Sequence, residues 1–411
     1  MIEFFQKNAD LLGILFMPIT YGFVGWFTNW VALKMTFYPI QFWGIPPYLG
    51  WQGIIPRKAH KMASKSVDVI TGRLIKVEEI FDKVDPARIE KELRPMLKPI
   101  IRELTKDIVD QVRPGLWPIL PELAKKQIYA ETEKEIPNGI KTVIMGIRNN
   151  VYQVFDLKGM VLKKLSGENV KLVVDLFQTV GGPEFRFIEL SGLYFGLALG
   201  LVQMAIWFLF PAWWTLPIQG ILVGYLTNYL ALEMIFRPFY EKNYILFKYQ
   251  GLFLKRQTQV SNEYSKFVST HILNARNILE EILFGRAADE VYAIIKKAII
   301  RSFENTSTVA HPILTFTMGS EKYLSIREEI VRRMSEVAPK SIEKIEKYVE
   351  ESMDIEETMA SRMRALPPEE FESILRSAFQ EDELLLILIG ALLGALVGLG
   401  QAIYMLKFPA L

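Results

Sequence analysis

The sequence predicts an all-α integral membrane protein, a tandem parallel duplication with four transmembrane helices and two helical-bundle soluble regions. Three observations lead to this fold class: long uncharged segments, an internal repeat, and amphipathic periodicity in the charged regions between them. The 411 residues are 50% hydrophobic, and the formal net charge is only +2. Such a balanced charge disfavours a nucleic-acid-binding surface. The absence of cysteine excludes disulfides and thiolate metal sites, and three histidines leave little for imidazole chemistry.

The uncharged segments predict four membrane spans. Leu11–Leu33 and Leu384–Leu406 are each about 23 residues long, and a bilayer core needs about 20 helical residues. Leu190–Leu232 is long enough for two spans joined by a tight turn, which we place at Pro211–Pro217. The first segment lacks the basic flank and cleavage site of a signal peptide, so we expect it to remain as a span.

An internal repeat organises the chain. Residues 18–39 and 217–238 share eleven identical positions at a separation of 199 residues. Further along, Trp51-Gln52-Gly53 is echoed by Tyr249-Gln250-Gly251. Self-similarity over this length indicates a duplication of the whole chain.

The predicted organisation follows from the repeat. It consists of a first span at 1–40, an interfacial segment and first helical soluble region at 41–185, a transmembrane hairpin at 186–240, an interfacial segment and second helical soluble region at 241–382, and a fourth span at 383–411, in repeat units 1–207 and 208–411. Because each unit has two spans, both charged regions lie on one side and the symmetry axis runs along the membrane normal. Basic residues near the spans place that side in the cytoplasm.

The charged regions predict amphipathic helices. Apolar residues recur at spacings of three and four in stretches such as 87–104 and 287–300, as a helix with one buried face requires. Prolines such as Pro95, Pro99 and Pro339 predict breaks or bends in these helices. Gly181-Gly182-Pro183 is most simply a turn before the membrane. We expect no substantial sheet.

Two Thr-Asn pairs are the most distinctive polar feature of the spans. A hydroxyl and a carboxamide inside an apolar helix must find partners. One interpretation is an ion or substrate site beside a helix that unwinds near Gly25 and Gly224. The other is a clamp on a neighbouring helix. The predicted intramembrane polar site comprises Thr28, Asn29, Thr227, Asn228, Gln203 and Gln401.

The remaining candidate residues serve charge pairing, lipid contact and packing. Lys34 and Glu233 occupy equivalent positions, so they either pair across the repeat or each extend to water. Aromatic and basic residues at the interface predict contact with lipid headgroups; they are Trp43, Trp51, Arg57, Lys58, Lys255 and Arg256. Glycines at four-residue spacing predict close helix packing; they are Gly192, Gly196, Gly200, Gly390, Gly394 and Gly398.

Three motifs carry a resemblance to a known family. They are Val24-Gly25-x2-Thr28-Asn29-x2-Ala32-x2-Met35-x-Phe37-x-Pro39, the segment 52–57, and Glu184-x3-Ile188-x3-Gly192-x3-Gly196-x3-Gly200-x2-Gln203. With them the chain resembles, nearly end to end, the YheB/YjiN family of bacterial membrane proteins, domain of unknown function 445. The resemblance implies a bacterial inner-membrane location and no particular activity. Glu233 departs from the basic residue usual at that position, which Lys34 matches.

Together these features favour a non-enzymatic, membrane-anchored scaffold that handles lipid through cytoplasmic amphipathic helices. The alternative is a transporter or channel with a polar site at the two Thr-Asn motifs. An enzyme is disfavoured because the sequence shows no nucleophile, base or metal motif. We expect membrane lipids as partners, with a homo-oligomer or a partner protein as further options, and no cofactor, metal or nucleic acid.

Overall fold

The computed structural model describes residues 9–45, 49–112, 114–244, 248–306, 320–376 and 383–407. Helices dominate these ranges, and the strands within them form two short hairpins, β1 with β2 and β3 with β4. In the first half the elements are α1 Ala9–Phe37, β1 Trp43–Ile45, β2 Leu49–Trp51, α2 Ile54–Val69, a π-helical turn Ile70–Leu74, α3 Val77–Asp82, α4 Pro86–Val112, α5 Leu116–Ile119, α6 Glu122–Lys134, α7 Ile136–Asn149, α8 Val151–Val154, α9 Leu157–Leu165, a 3-10 turn Gly167–Asn169 and α10 Val170–Leu209. In the second half they are α11 Thr215–Phe236, β3 Lys242–Asn243, β4 Lys248–Tyr249, α12 Leu252–Lys255, α13 Gln257–His271, α14 Ala275–Phe284, α15 Ala288–Thr306, α16 Ser320–Met353, α17 Ile355–Arg364, α18 Pro368–Arg376 and α19 Glu383–Lys407.

The chain divides into two compact units. The first, here the membrane unit, comprises Met1–Val69, Leu162–Phe267 and Ala360–Leu411. The second, the helical unit, comprises Ile70–Val161 and Val268–Met359. The two predicted soluble regions therefore contribute to one compact unit, and each boundary of the first half recurs 198 residues later in the second.

Long apolar helices form the membrane unit. Among the described residues, three are long and apolar enough to cross a membrane, namely Val170–Leu209, Thr215–Phe236 and Glu383–Ile403. The span predicted at Leu11–Leu33 lies in α1, which is not among these three, so it stays a prediction. A turn is present at 210–214, between α10 and α11, but residues 215–217 of the predicted turn are already the first residues of α11. With 40 residues, α10 is about 60 Å long and extends beyond a hydrocarbon core of about 30 Å.

Two helix pairs pack most extensively, α1 with α10 and α11 with α19. At the first crossing a side chain on Gly192 would collide with the carbonyl oxygen of Gly25. At the second, a side chain on Gly394 would collide with that of Gly220. All six glycines of the predicted stripes lie at such contacts, where a Cβ would come within 3.0 Å of the neighbouring helix. Glycine therefore sets how closely these helices approach.

The other contacts of the bundle join the two pairs. A buried cluster forms from α1, α11 and α19, and its members are Met17, Tyr21, Leu216, Val223 and Ala402. A second cluster joins Ala32, Ile54 and Leu386, with Trp51 packed against it. Side chains from both halves of the sequence thus share one core.

Proline and glycine interrupt the helices less than the sequence predicts. α1 continues through Pro18 and Gly25, so it does not unwind near the Thr-Asn pair. α4 continues through Pro95 and Pro99, and α10 continues through the segment predicted as a turn, including Pro183. A proline removes one helical hydrogen bond, and burial of neighbouring side chains such as Leu97 offsets that loss.

The helical unit is a bundle with a conventional apolar core. α4 packs on α7 and α16, α15 packs on α7, and α14 packs on α16. The buried residues recur at helical spacing and include Ile89, Leu93, Leu97, Ile278, Ile282, Val349 and Met353. A bidentate ion pair joins Arg276 of α14 to Glu346 of α16, with Nη2 2.7 Å from Oε2. The amphipathic periodicity of the charged regions thus reflects burial within this unit.

The glycine contacts generate a stability prediction. Replacing Gly196 or Gly394 by leucine forces side-chain atoms into a backbone contact, so the thermal midpoint in detergent is expected to fall by several degrees. Gly400→Leu is the matched control, because a Cβ at Gly400 of α19 meets nothing within 4 Å. Differential scanning fluorimetry checks the comparison. Equal midpoints for all three variants would show that the contacts do not stabilise the bundle.

Candidate functional site

The two asparagines of the Thr-Asn motifs form matching contacts. Asn29 Nδ2 donates a hydrogen bond to the carbonyl oxygen of Ile188 at 2.7 Å. Asn228 Nδ2 donates to that of Leu386 at 3.0 Å. Both amides are buried, and each joins a helix of one glycine pair to its partner. Because an unpaired amide in this environment is strongly destabilising, these bonds favour the observed register of the helices.

The two threonines donate within the same bundle. Thr28 Oγ1 donates to the carbonyl oxygen of Gly25 in its own helix at 3.1 Å. Thr227 Oγ1 donates to Asn29 Oδ1 at 3.4 Å, and so connects the two motifs. The structure therefore brings Asn29 and Thr227 together, as a shared intramembrane polar site requires. The Thr and Asn side chains of both motifs donate hydrogen bonds to oxygen atoms of the protein, as the interpretation of a clamp on a neighbouring helix requires.

Glutamine side chains reinforce the turn between α10 and α11. Gln203 is buried, and its Nε2 donates to Thr215 Oγ1 at 3.2 Å. Gln401, the equivalent residue in α19, is half-buried. Sequence reasoning missed two related donors. Gln219 Nε2 bonds the Leu199 carbonyl oxygen at 3.3 Å, and the Tyr21 hydroxyl bonds that of Leu216 at 3.4 Å.

A buried ion pair joins Glu184 and Arg256 within the membrane unit. Arg256 Nη1 lies 2.6 and 2.7 Å from the two carboxylate oxygens of Glu184. The Glu184 side chain is only 1% exposed, and that of Arg256 is 21% exposed. Arg256, predicted as a lipid-headgroup residue, pairs with this carboxylate, and its contact with lipid stays a prediction. Glu184 stood in a sequence motif, but its partner lies 72 residues away, a separation that local periodicity does not reveal.

A second ion-pair cluster joins α18 to the first residue of α19. Arg376 Nε donates to Glu383 Oε1 at 2.7 Å, and Arg376 Nη1 donates to Glu372 Oε1 at 2.9 Å. Its hydrogen bond to Glu383 raises the pKa of the Arg376 guanidinium above its ordinary value. The guanidinium therefore remains charged and can hold both carboxylates at physiological pH.

The two hairpins are held to the helix ends by the same side-chain pattern. Gln52 Nε2 donates to the Ile40 carbonyl oxygen at 2.8 Å, and Gln250 Nε2 donates to that of Phe239 at 2.9 Å. Trp51 was predicted at the headgroups, but its Nε1 donates to the Met35 carbonyl oxygen at 3.3 Å and its ring is half-buried. Residues 46–48 of the predicted interfacial segment lie outside the described residues.

The first hairpin exposes large apolar side chains. Trp43 is 76% exposed, Ile45 72% and Leu49 73%. The second hairpin instead exposes tyrosine and lysine, with Tyr240, Lys242 and Lys248 at its surface. Exposed apolar patches and aromatic-basic clusters of this kind are typical of membrane-contacting surfaces.

The other predicted cations differ in how far they are exposed to solvent. Arg57 and Lys255 are exposed, and Lys58 is half-buried. Lys34 Nζ lies 5.6 Å from the centroid of the Tyr38 ring. Its pairing with Glu233 stays a prediction. Among the residues that the structure describes, no group of three or more acidic or histidine side chains is placed to hold a metal ion.

Comparison with known proteins places the chain among bacterial membrane proteins. A UPF0754 membrane protein of Microcystis aeruginosa is 23% identical over 421 residues, covering 95% of this chain and 96% of its own. Another, of Nostoc, is 21% identical and covers 94% of each chain. A third, of Staphylococcus saprophyticus, is 30% identical over 95 residues, and only 25% of its length is matched. No family model matches the chain. No solved structure matches it.

The asparagine clamps generate a second prediction. Asn29→Leu or Asn228→Leu removes one interhelical hydrogen bond and leaves a buried carbonyl oxygen without that donor. The free energy of unfolding in detergent is expected to fall by roughly 0.6–2 kcal/mol. Thr20→Val is the control, because Thr20 Oγ1 donates to the Phe16 carbonyl oxygen within its own helix. An unchanged stability in both asparagine variants would contradict the clamp.

The buried ion pair generates a third prediction. Arg256→Gln leaves the Glu184 carboxylate buried without its cation, which is expected to destabilise the fold by about 3–5 kcal/mol. Arg276→Gln removes an equally bidentate but more exposed arginine and is expected to change stability little. Thermal unfolding of both variants at matched ionic strength checks the difference. Similar midpoints would show that burial does not strengthen the Glu184 pair.

Proposed function

We propose that this protein is a non-enzymatic, membrane-anchored scaffold that contacts lipid through its two hairpins. The observation that carries the proposal is the first hairpin, which exposes the large side chains of Trp43, Ile45 and Leu49. In water, an exposed apolar surface is unfavourable by roughly 25 cal/mol per Å². At the headgroup level of a bilayer the same side chains are stabilised.

The second hairpin supports the same role by different chemistry. Tyr240 and Tyr244 are exposed beside Lys242 and Lys248. Tyrosine favours the membrane interface, and lysine is attracted to anionic headgroups. Lipid contact thus extends to both hairpins, with an apolar anchor in the first and an anionic-lipid contact in the second.

The proposal includes a tandem duplication with four spans, α1 being the first. Its support is the recurrence of structural features at matching sequence positions. Asn29 and Asn228 make equivalent clamps, and the boundaries of the compact units recur after 198 residues. With two spans in each repeat, the segments 70–161 and 268–359 lie on the cytoplasmic side of a bacterial inner membrane. Membership of the YheB/YjiN family is part of this proposal.

A transporter or channel at the two Thr-Asn motifs is the weaker proposal. A solute pathway needs polar groups that are available to the solute. The Asn29 and Asn228 amides instead donate to helix carbonyl oxygens, and Thr227 donates to Asn29. Helix clamping accounts for these groups without a transported solute.

The hairpin anchor is tested with a single cysteine, since the chain contains none. Ile45→Cys carrying an environment-sensitive fluorophore is expected to show blue-shifted emission in proteoliposomes and quenching by brominated lipids. Thr258→Cys, on an exposed position of α13, is the aqueous control. Emission at position 45 that matches the aqueous control would contradict lipid contact.

The orientation is tested by labelling intact cells with a membrane-impermeant thiol reagent. Lys141→Cys in the helical unit is expected to react only after the cells are opened, because the proposed topology places it in the cytoplasm. Trp213→Cys in the turn between α10 and α11 is expected to react in intact cells. The reverse pattern would overturn the topology.

A further inference from the structure

A small cavity lies inside the membrane unit at the level of Asn228. Its volume is about 40 Å³, and helices α1, α10, α11, α12 and α19 all contribute to its wall. Carbon-rich side chains make up most of the lining, including Ala32, Leu33, Phe185, Leu232, Phe253 and Leu386. The sequence alone does not predict this cavity, because it forms where five helices from distant parts of the chain meet.

The chemistry of the lining favours an apolar occupant. Thr36 and Asn228 supply its polar side chains, and each already donates a hydrogen bond within the bundle. Thr36 Oγ1 donates to the Ala32 carbonyl oxygen at 2.8 Å, and Asn228 Nδ2 donates to that of Leu386. A water molecule needs two to four polar partners to be held in a cavity, whereas apolar cavities stay dry and take up hydrocarbon.

The size and position of the cavity narrow the choice of occupant. A cavity needs roughly 10–15 Å³ to hold one water-sized group. This cavity therefore has room for about three methyl-sized groups, which is the size of the end of a hydrocarbon chain. Leu33, Leu232 and Phe185 are half-buried, so the lining reaches the surface of the bundle. α10, α11 and α19 are long and apolar enough to cross a membrane, and the hydrocarbon beside such helices is lipid acyl chain.

Two cations lie close in sequence to residues of the lining. Lys34 directly follows Leu33, and Lys255 lies two residues after Phe253; both are exposed. A phospholipid combines an apolar chain with an anionic phosphate, so these lysines match the headgroup of a molecule whose chain enters the cavity.

We propose that the cavity binds the end of one acyl chain of a membrane phospholipid, with Lys34 and Lys255 beside its phosphate. This inference rests on the proposed lipid-contacting function and names a specific ligand site for it. The hairpins contact the membrane surface, whereas this site retains a single lipid molecule.

Native mass spectrometry of the full chain, purified in mild detergent and then exchanged repeatedly into fresh detergent, tests the site. The wild-type protein is expected to retain one phospholipid. Ala32→Leu adds three carbons to the cavity wall and is expected to lower the retained fraction at least tenfold. Ala205→Leu makes the same change on an exposed position of α10 and is expected to retain lipid like the wild type. The proposal would be overturned by equal retention in both variants. It would also be overturned if the wild-type protein retained no lipid, or retained an isoprenoid instead.

Photo-crosslinking of the wild-type protein avoids any dependence on the folding of a variant. A phosphatidylethanolamine with a diazirine near the end of one acyl chain is incorporated, and loosely held lipid is washed away before illumination. Adducts are expected at Leu33 or Leu232. Adducts only on outward positions such as Leu222 would overturn the site. If the hairpin probe at position 45 still reports lipid in that case, the cavity proposal fails while the proposed function stands. An aqueous signal at position 45 together with adducts at Leu33 would contradict the proposed hairpin contact and leave the cavity proposal standing.

Discussion

The close approach of two helix pairs, which glycine makes possible, is the constraint on which the rest of the membrane unit depends. Gly25 meets Gly192 in one pair, and Gly224 meets Gly390 in the other. In lipid there is little hydrophobic drive to join apolar helices, so packing and hydrogen bonds must hold them together. The contact also brings Asn29 within reach of a carbonyl oxygen on the neighbouring helix. Glycine and asparagine therefore act together: the first allows proximity and the second favours one register.

This use of the polar residues shapes what the protein can do. The interior amides bind the helices to each other, and the cavity beside them is lined mostly by apolar side chains. The exposed side chains that the proposed function uses lie near the ends of the helices. There, hairpins expose tryptophan, tyrosine and lysine, and the Glu184–Arg256 pair holds α10 to the segment after the second hairpin. This arrangement suits the proposed membrane anchor better than a pathway for a solute.

The sequence predicts the features that depend on local spacing. The long apolar segments, the turn before Thr215 and the glycine spacing are all read from residues close together in the chain. Helix continuity through Pro95 was not predicted, because burial along the whole helix offsets a local penalty. The partner of Glu184 was not predicted either, because a single charge gives no sign of which distant cation will reach it. Likewise, periodicity shows that a helix has an apolar face without showing what covers that face. The sequence therefore did not predict that 70–161 and 268–359 form one compact unit.

If the Thr-Asn motifs hold neighbouring helices together, their side chains lie in a part of the bundle that water does not reach. The most direct measurement is the rate at which a small, water-soluble thiol reagent modifies Thr28→Cys and Thr227→Cys in proteoliposomes, with Trp213→Cys as the accessible reference. Both threonines are buried, and the account predicts that neither cysteine reacts on the time scale of the reference. Modification of either at a rate near that of position 213 would reveal a water-filled pathway and contradict the account.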